Sequence, residues 1–222
     1  MSDWAVRTEQ QVLDAALARV VETGWNRALV ERAAADAGLS SGDADLLLPN
    51  GPADLAALLS RRHDQRGMET LAEVDPTTLK VRERIFRGVE ARLEAAAADE
   101  AAVRRWAAFL ASPVRLPLAG RLVWESADRI WRWAGDTATD ENHYSKRAIL
   151  SGILIPALGV RLSQGPGAAA EFVSARIENV MSFEKWKAGI KPSETLREMA
   201  EALGRLRYGA KPAPSPGADA AG

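Results

Sequence analysis

A chain of 222 residues with 47% hydrophobic side chains can bury a sizeable core in one domain, or in one large domain and a small one. Its 29 basic and 30 acidic residues nearly cancel, so no global field marks nucleic acid or an anionic surface as the partner. The absence of cysteine excludes disulfides and thiolate metal sites, and an apolar content that leans on Ala and Leu, with two Tyr and four Phe, favours helix over strand.

Val12, Leu13, Ala16, Leu17, Val20 and Val21 recur at helical spacing, with Gly24 as a stop. Leu29, Val30, Ala33, Ala34 and Ala37 predict a second helix, ended by Gly38. Ser40 or Ser41 caps a brief third before the turn signal Pro49-Asn50-Gly51-Pro52. A fourth helix starts near Pro52, with Leu55, Leu58 and Leu59 on one face. Asp75-Pro76 restarts the chain, and Val81, Ile85, Val89 and Leu93 mark a long amphipathic helix. Val103, Trp106, Phe109 and Leu110 form another, broken at Ser112-Pro113, and Leu118 to Trp133 a further one that stops at Gly135.

Thr139 or Asp140 caps the next helix. Its 13-residue run at 148–160 is apolar almost all round, which predicts a central helix of a bundle, kinked at Pro156 in a way that opens space. A bilayer span needs about 20 apolar residues, so the run predicts a buried helix and not a membrane anchor. Phe172, Val173, Ile177, Val180 and Met181 follow on a helix, and Leu196, Met199, Leu203 and Leu206 share one face of a last helix from Ser193. Residues 209–222, rich in Pro, Ala and Gly, read as a disordered tail. Nothing reads as a strand or an internal repeat. With no signal peptide or organelle presequence in view, a cytoplasmic protein is the expectation.

Catalytic motifs find little support. Gly38-Leu39-Ser40-Ser41-Gly42 matches a nucleophile elbow, but that turn requires a preceding strand and a helix precedes it here. A di-iron bundle requires two Glu-x-x-His pairs, and the chain has two His, neither with a Glu three residues before it. There is no Gly-rich phosphate loop. No enzyme, no metal and no cofactor are expected.

Residues 12–17 (Val-Leu-Asp-Ala-Ala-Leu), Gly24-Trp25 and residues 33–40 (Ala-Ala-Ala-Asp-Ala-Gly-Leu-Ser) resemble the N-terminal domain of tetracycline-repressor-type regulators. In that family a third helix enters the major groove. Here that segment, residues 41–48, carries Asp43 and Asp45, no cation, and Leu46, Leu47 and Leu48 where polar readers are needed. Residues 1–60 hold four Arg against nine acids, a net of −5, which repels a polyanion. DNA is therefore not the expected partner, although a ligand-responsive transcriptional regulator stands as the alternative function.

The stretch at residues 130–150, IWRWAGDTATDENHYSKRAIL, with Ala175-Arg176-Ile177-Glu178-Asn179 after it, resembles the lipid-binding accessory proteins of coenzyme Q (ubiquinone) biosynthesis, from about residue 10 to 185. The resemblance implies an all-α, tetracycline-repressor-like fold: a degenerate three-helix helix-turn-helix domain (1–60), a helical bundle of about six helices (61–208) that binds lipid and partner, and the tail. It implies a homodimer without catalytic activity. Such a protein binds an isoprenoid quinone precursor and presents it to the di-iron demethoxyubiquinone hydroxylase, in peripheral contact with the inner membrane of a bacterium.

The implied lipid pocket draws on the most apolar helices, through Phe109, Leu110, Leu122, Trp124, Leu150, Ile153, Leu154, Ala157 and Leu158, with Gly152 and Gly159 sparing volume. The implied partner surface comprises Asp128, Trp131, Arg132 and Trp133. Trp131 and Trp133 point about 200° apart on a helix, so at least one is expected to be exposed or at an interface. Asp136, Asp140, Asn142, Tyr144 and Arg147 form the structural motif between two helices. Residues 184–211 carry seven cations and four acids, a net of +3, and with Leu196, Met199, Leu203 and Leu206 on one face they suit a membrane contact, as they also suit docking on this chain's own domain or on a dimer mate.

Overall fold

The computed structural model describes residues 3–139 and 141–189, and among these every stretch of helical apolar spacing forms a helix and no strand is present. In chain order the helices are α1 (Asp3–Thr23), α2 (Arg27–Asp36), α3 (Ser41–Leu47), α4 (Pro52–Thr70), α5 (Val81–Ala97), α6 (Glu100–Leu110), α7 (Leu116–Trp133), α8 (Glu141–Gln164) and α9 (Pro166–Gly189). Single 3₁₀ turns stand at Pro76–Thr78 and Pro113–Arg115. Asp140, the helix predicted from Ser193 with Leu196, Met199, Leu203 and Leu206, and the tail lie outside the described residues.

Local chemistry sets the ends. The Asn26 side-chain oxygen accepts the Leu29 amide at 3.0 Å and starts α2. The Ser40 hydroxyl accepts the Asp43 amide at 3.2 Å and donates to the Asp43 carboxylate at 2.6 Å, so the serine of the apparent nucleophile motif is spent on capping α3. At the end of α7, Gly135 adopts φ +87°. The Asp136 amide then reaches back to the Trp131 carbonyl at 2.9 Å, and the Gly135 amide to that of Arg132 at 3.0 Å. This closure aims Asp136 back at the helix that follows.

Residues up to Ile177 form one compact unit, and Glu178 begins a second, of which the last turns of α9 are described. Two clusters of buried side chains fill the first unit. One joins α1, α2 and α4 to α6 and the start of α7 through Leu13, Leu29, Leu55, Leu59, Val103 and Leu122. Two indole N–H groups pin it to the α4 backbone, Trp25 on the Pro52 carbonyl and Trp106 on that of Ala56, each at 3.0 Å. The other joins α5, α7, α8 and α9 through Ile85, Val89, Ile130, Leu150 and Val173. Gly88 lets α5 approach α7 closely, since a Cβ there would lie 2.5 Å from Ile130 Cγ2.

α8 departs from expectation. It is not buried on every side: Leu150, Ile153, Leu154 and Ala157 face the core, whereas Ile149, Gly152, Ile155, Pro156 and Gly159 are exposed. The spacing of the exposed set traces one helix face. α5 and α7 cover the opposite side, so a helix apolar all round is left with one bare face. The helix runs on through Pro156. Among the described residues no helix is long and apolar enough to cross a membrane.

Candidate functional site

The first unit holds a cavity of about 460 Å³ between α4, α5, α6, α7 and α8, within the size range of small-molecule sites. Its walls are apolar, built by Leu93, Trp106, Leu110, Leu122, Leu154 and Leu158. Its rim is apolar and open to solvent: Leu116 is 57% exposed and Ile155 61%, with Gly159 beside them. Three buried polar residues complete the lining, Ser60, Arg92 and Ser126. The space is therefore amphipathic, with an apolar mouth and a small polar floor.

The floor belongs to a buried ionic group. Arg92 Nε and Ser126 Oγ each donate to Asp64 Oδ1 at 2.6 Å, and both ionic side chains are almost wholly withdrawn from solvent. Next to Asp64 in sequence, His63 is fully buried, and its Nε2 lies 2.9 Å from the Asp99 carboxylate. Burial, reinforced by the positive charge of Arg92, pushes the His63 pKa down to about 4 against the pull of Asp99. The imidazole is thus neutral near neutral pH and donates from Nε2 to Asp99. The cue for these residues was present: His63 continues the Leu55–Leu59 face four residues on, and Arg92 lies seven residues after Ile85. Polar side chains on a core-facing stripe mark a buried polar site.

The nine predicted pocket residues divide. Leu110, Leu122, Leu154 and Leu158 line the cavity. Leu150, Ile153 and Ala157 do not; they point into the second core cluster, on the side of α8 packed against its neighbours. Phe109 lies outside the lining, under the Arg115 guanidinium at 3.9 Å and 6.2 Å from the Trp25 ring. Trp124 lies outside it too, its ring 6.2 Å from that of Tyr144. Of the two glycines, Gly159 borders the cavity and Gly152 does not.

A second constellation sits at the α7–α8 corner. Arg147, only 1% exposed, donates from Nε to Asp128 at 2.7 Å and from Nη1 to Asp136 at 2.8 Å and to the His143 carbonyl at 3.1 Å. Lys146 adds a bond to Asp136 at 2.6 Å, and Arg132 pairs with Asp128 at 2.7 Å. Burial opposes ionisation of Asp136, but the hydrogen bonds from Lys146 and Arg147 outweigh it and hold the carboxyl below its usual range. The same pairing holds the Arg147 guanidinium above its usual range despite burial. Asp136 and Arg147 thus lock the two helices together.

The partner residues flank this lock. Trp131 donates from Nε1 to the Lys146 carbonyl at 3.0 Å, with the Lys146 ammonium 5.3 Å from its ring centre. Trp131 and Trp133 are both half-buried against the second cluster, each keeping part of its ring at the surface. The α8 backbone folds across the end of α7 and takes up the Trp131 N–H. Arg132 projects into solvent, and Tyr144 is exposed, its ring edge against His143. Asn142 is exposed on the first turn of α8. Nearer the N-terminus, Arg19 is paired with Asp36, and Arg27 with Glu31 and Asp45, so two of the four arginines among residues 1–60 are engaged by carboxylates. Leu46 is 83% exposed, whereas Leu48 is buried in the first core cluster.

The described residues are all-helical, and the first unit holds an amphipathic cavity beside an ion-paired helical corner. Among the described residues no cluster of three or more metal-ligating side chains occurs. Residues 116–184, which supply α7, α8 and much of α9, match the COQ9 family model. The chain is 26% identical over 151 residues to the mitochondrial ubiquinone biosynthesis protein COQ9 of Rattus norvegicus, covering 65% of this chain and 48% of that protein. It is 28% identical over 159 residues to the Xenopus tropicalis protein of the same name, and 29% over 159 residues to COQ9-B of Xenopus laevis, covering 48% and 52% of those proteins. The chain is thus similar to the COQ9 proteins, and the segment that matches their family model lies on the helices that carry the corner and one side of the cavity. It spans about half the length of the curated relatives it matches.

Proposed function

We propose that this protein is a non-catalytic, lipid-binding component of ubiquinone biosynthesis. It holds an isoprenoid quinone precursor in the cavity and presents it to the demethoxyubiquinone hydroxylase. The observation that carries the reading is the cavity of about 460 Å³, with apolar walls, between α4, α5, α6, α7 and α8, in a chain whose COQ9-like segment builds one side of it. An isoprenoid tail needs an apolar, water-poor sleeve, and Leu110, Leu122, Leu154 and Leu158 provide one.

Two further features support parts of this reading. The exposed rim of Leu116 and Ile155 suits a protein that takes its ligand from a bilayer surface by peripheral contact. Arg132 and Tyr144, exposed on either side of the Arg147 corner, suit a docking surface for the hydroxylase, held rigid by the ion pairs beneath. The first three helices are then a repressor-like scaffold used without DNA, in a homodimer whose working surfaces lie on α6 to α8.

The test is to purify the protein without detergent and examine it by native mass spectrometry, with lipid extraction in parallel. An isoprenoid quinone precursor bound near one per chain, together with co-purification of the hydroxylase, is the expected result. A lipid-free protein that leaves the hydroxylase unaffected would overturn the proposal.

A further inference from the structure

The polar floor of the cavity is unfinished. Arg92 commits only Nε, to Asp64; its Nη1 and Nη2 groups make no hydrogen bond to the described residues, and the side chain, 8% exposed, keeps its remaining access through the cavity. The hydroxyl of Ser60, a residue 2% exposed, likewise makes no hydrogen bond to the described residues. Both residues line the cavity. These donors open onto the cavity, so a ligand that fills the space and displaces water from it must supply acceptors in its place. Among the buried groups the charge is already balanced, because Asp64 lies 2.6 Å from the Arg92 guanidinium, while Arg129, 3.9 Å from the other Asp64 oxygen, is exposed and hydrated. An anionic head would add an uncompensated buried charge beside that carboxylate, whereas a neutral oxygen acceptor would not.

We infer that the cavity takes its ligand head first: an uncharged head with carbonyl-type oxygens accepts hydrogen bonds from Arg92 and Ser60, and its apolar tail runs out past Leu116 and Ile155. This rests on the reading of the cavity as a lipid site and adds the orientation and chemical class of the ligand. The placement of residues carries it, since the polar lining is buried and the exposed rim is apolar. A tail-first ligand would put hydrocarbon against free guanidinium donors and its polar head among leucines. Head-first binding keeps the ring from solvent and from premature reaction until it is handed on. Ser126, already donating to Asp64 at 2.6 Å, positions the carboxylate that orients Arg92.

The probes are a ubiquinone with a four-isoprene tail, a saturated hydrocarbon of the same tail length, and a fatty acid of similar length. Binding to the full chain is followed by tryptophan fluorescence, since Trp106 lines the cavity. Two variants are compared with the wild type: Ser60→Ala, and the charge-neutral double change Arg92→Met with Asp64→Leu, which removes the ion pair without stranding either charge. The wild type is expected to prefer the quinone over both other probes by about tenfold or more, as hydrogen bonds from a charged donor allow. Its carbonyl stretch in infrared difference spectra should shift to lower frequency. Ser60→Ala should weaken that preference, and the double variant should abolish it and the shift, while hydrocarbon binding, which reports an intact fold and sleeve, stays unchanged. Retention of the preference and the carbonyl shift in the double variant overturns head-first binding with the lipid site left standing. A preference for the fatty acid overturns the neutral-head assignment. A wild type that binds none of the three overturns the lipid site and the orientation together.

Discussion

Two buried arginines, 55 residues apart in sequence, are treated in opposite ways by this fold. Arg147 is bound by two carboxylates and a backbone carbonyl, and its neighbour Lys146 shares the second carboxylate. Arg92 is bound by a single carboxylate through one nitrogen, and the rest of its guanidinium borders a cavity. The first arrangement has the form of a lock and the second the form of a site. Burial alone does not distinguish them. What does is how many donors remain uncommitted, and whether space adjoins them.

The largest effect is expected at the lock. Arg147→Met leaves Asp136 and Asp128 without their buried counter-charge and should destabilise the chain by about 3 to 5 kcal/mol in denaturant titration. Arg147→Lys should recover only part of this, because an ammonium does not span two carboxylates as the planar guanidinium does. A loss below about 1 kcal/mol for Arg147→Met would place Arg147 with exposed ion pairs and erase the contrast with Arg92.

Acid should separate the two regions by pH. His63 beside the cavity floor has its pKa lowered from 6.5 to about 4, so it is neutral in the fold and titrates at ordinary values once unfolded. The unfolded chain then binds more protons between those values. Stability is complete above pH 6.5 and falls as pH drops toward 4, by about 3 kcal/mol at one proton's slope. The depressed Asp136 carboxyl acts later: its contribution is present above its ordinary value of 3.8 and is lost as pH falls through its lower folded value. Thermal melts of the wild type across pH 7 to 3, beside His63→Gln and Asp136→Asn, should show the upper stretch flattened by the first change only.

A smaller effect is expected where α5 meets α7. Gly88→Ala places a Cβ 2.5 Å from Ile130 Cγ2, on a β-branched side chain that cannot turn away freely. The expected loss is about 1 to 3 kcal/mol, the usual range for overpacking. In the background Ile130→Ala, which removes the struck methyl, the same substitution should cost far less. An additive pair of losses would show that the glycine is not needed for close approach.

Among the described residues helix placement was legible in the sequence, because apolar spacing, glycine stops and serine caps pointed the same way, as at Ser40 and Gly135. The open face of α8 was not. Periodicity reports that a helix is apolar all round but not which neighbours are absent, and here Ile149 and Ile155 face solvent. The Asp136 turn was legible as a turn, while its partner Arg147 reads in sequence like a solvated cation next to Lys146; only the fold shows it buried. The pocket was half legible for a similar reason. Leu154 and Ala157 are both apolar and lie on one helix, yet Leu154 reaches the cavity and Ala157 meets the packed core. Arg92, Asp64 and Ser60 belong to no catalytic motif and to no run of apolar residues, so neither signal marks them. The polar residues that interrupt an apolar stripe carried the signal.

The smallest change in stability should accompany the most complete loss of ligand. Ala119 is half-buried on α7 and lines the cavity, so a larger side chain there can enter existing space and need not push on packed neighbours. Ala119→Phe adds apolar surface that the cavity can bury, and its effect on stability should stay within about 1 kcal/mol and can be favourable. Native mass spectrometry of the same variant should show the bound lipid displaced, with the Arg147 corner and any hydroxylase contact retained. Lipid that stays bound at wild-type occupancy would place it elsewhere on the protein and sever the link between the cavity and the proposed function. A large loss of stability would mean instead that the space is packed in solution, and Arg92 would then need its partners from a rearranged core.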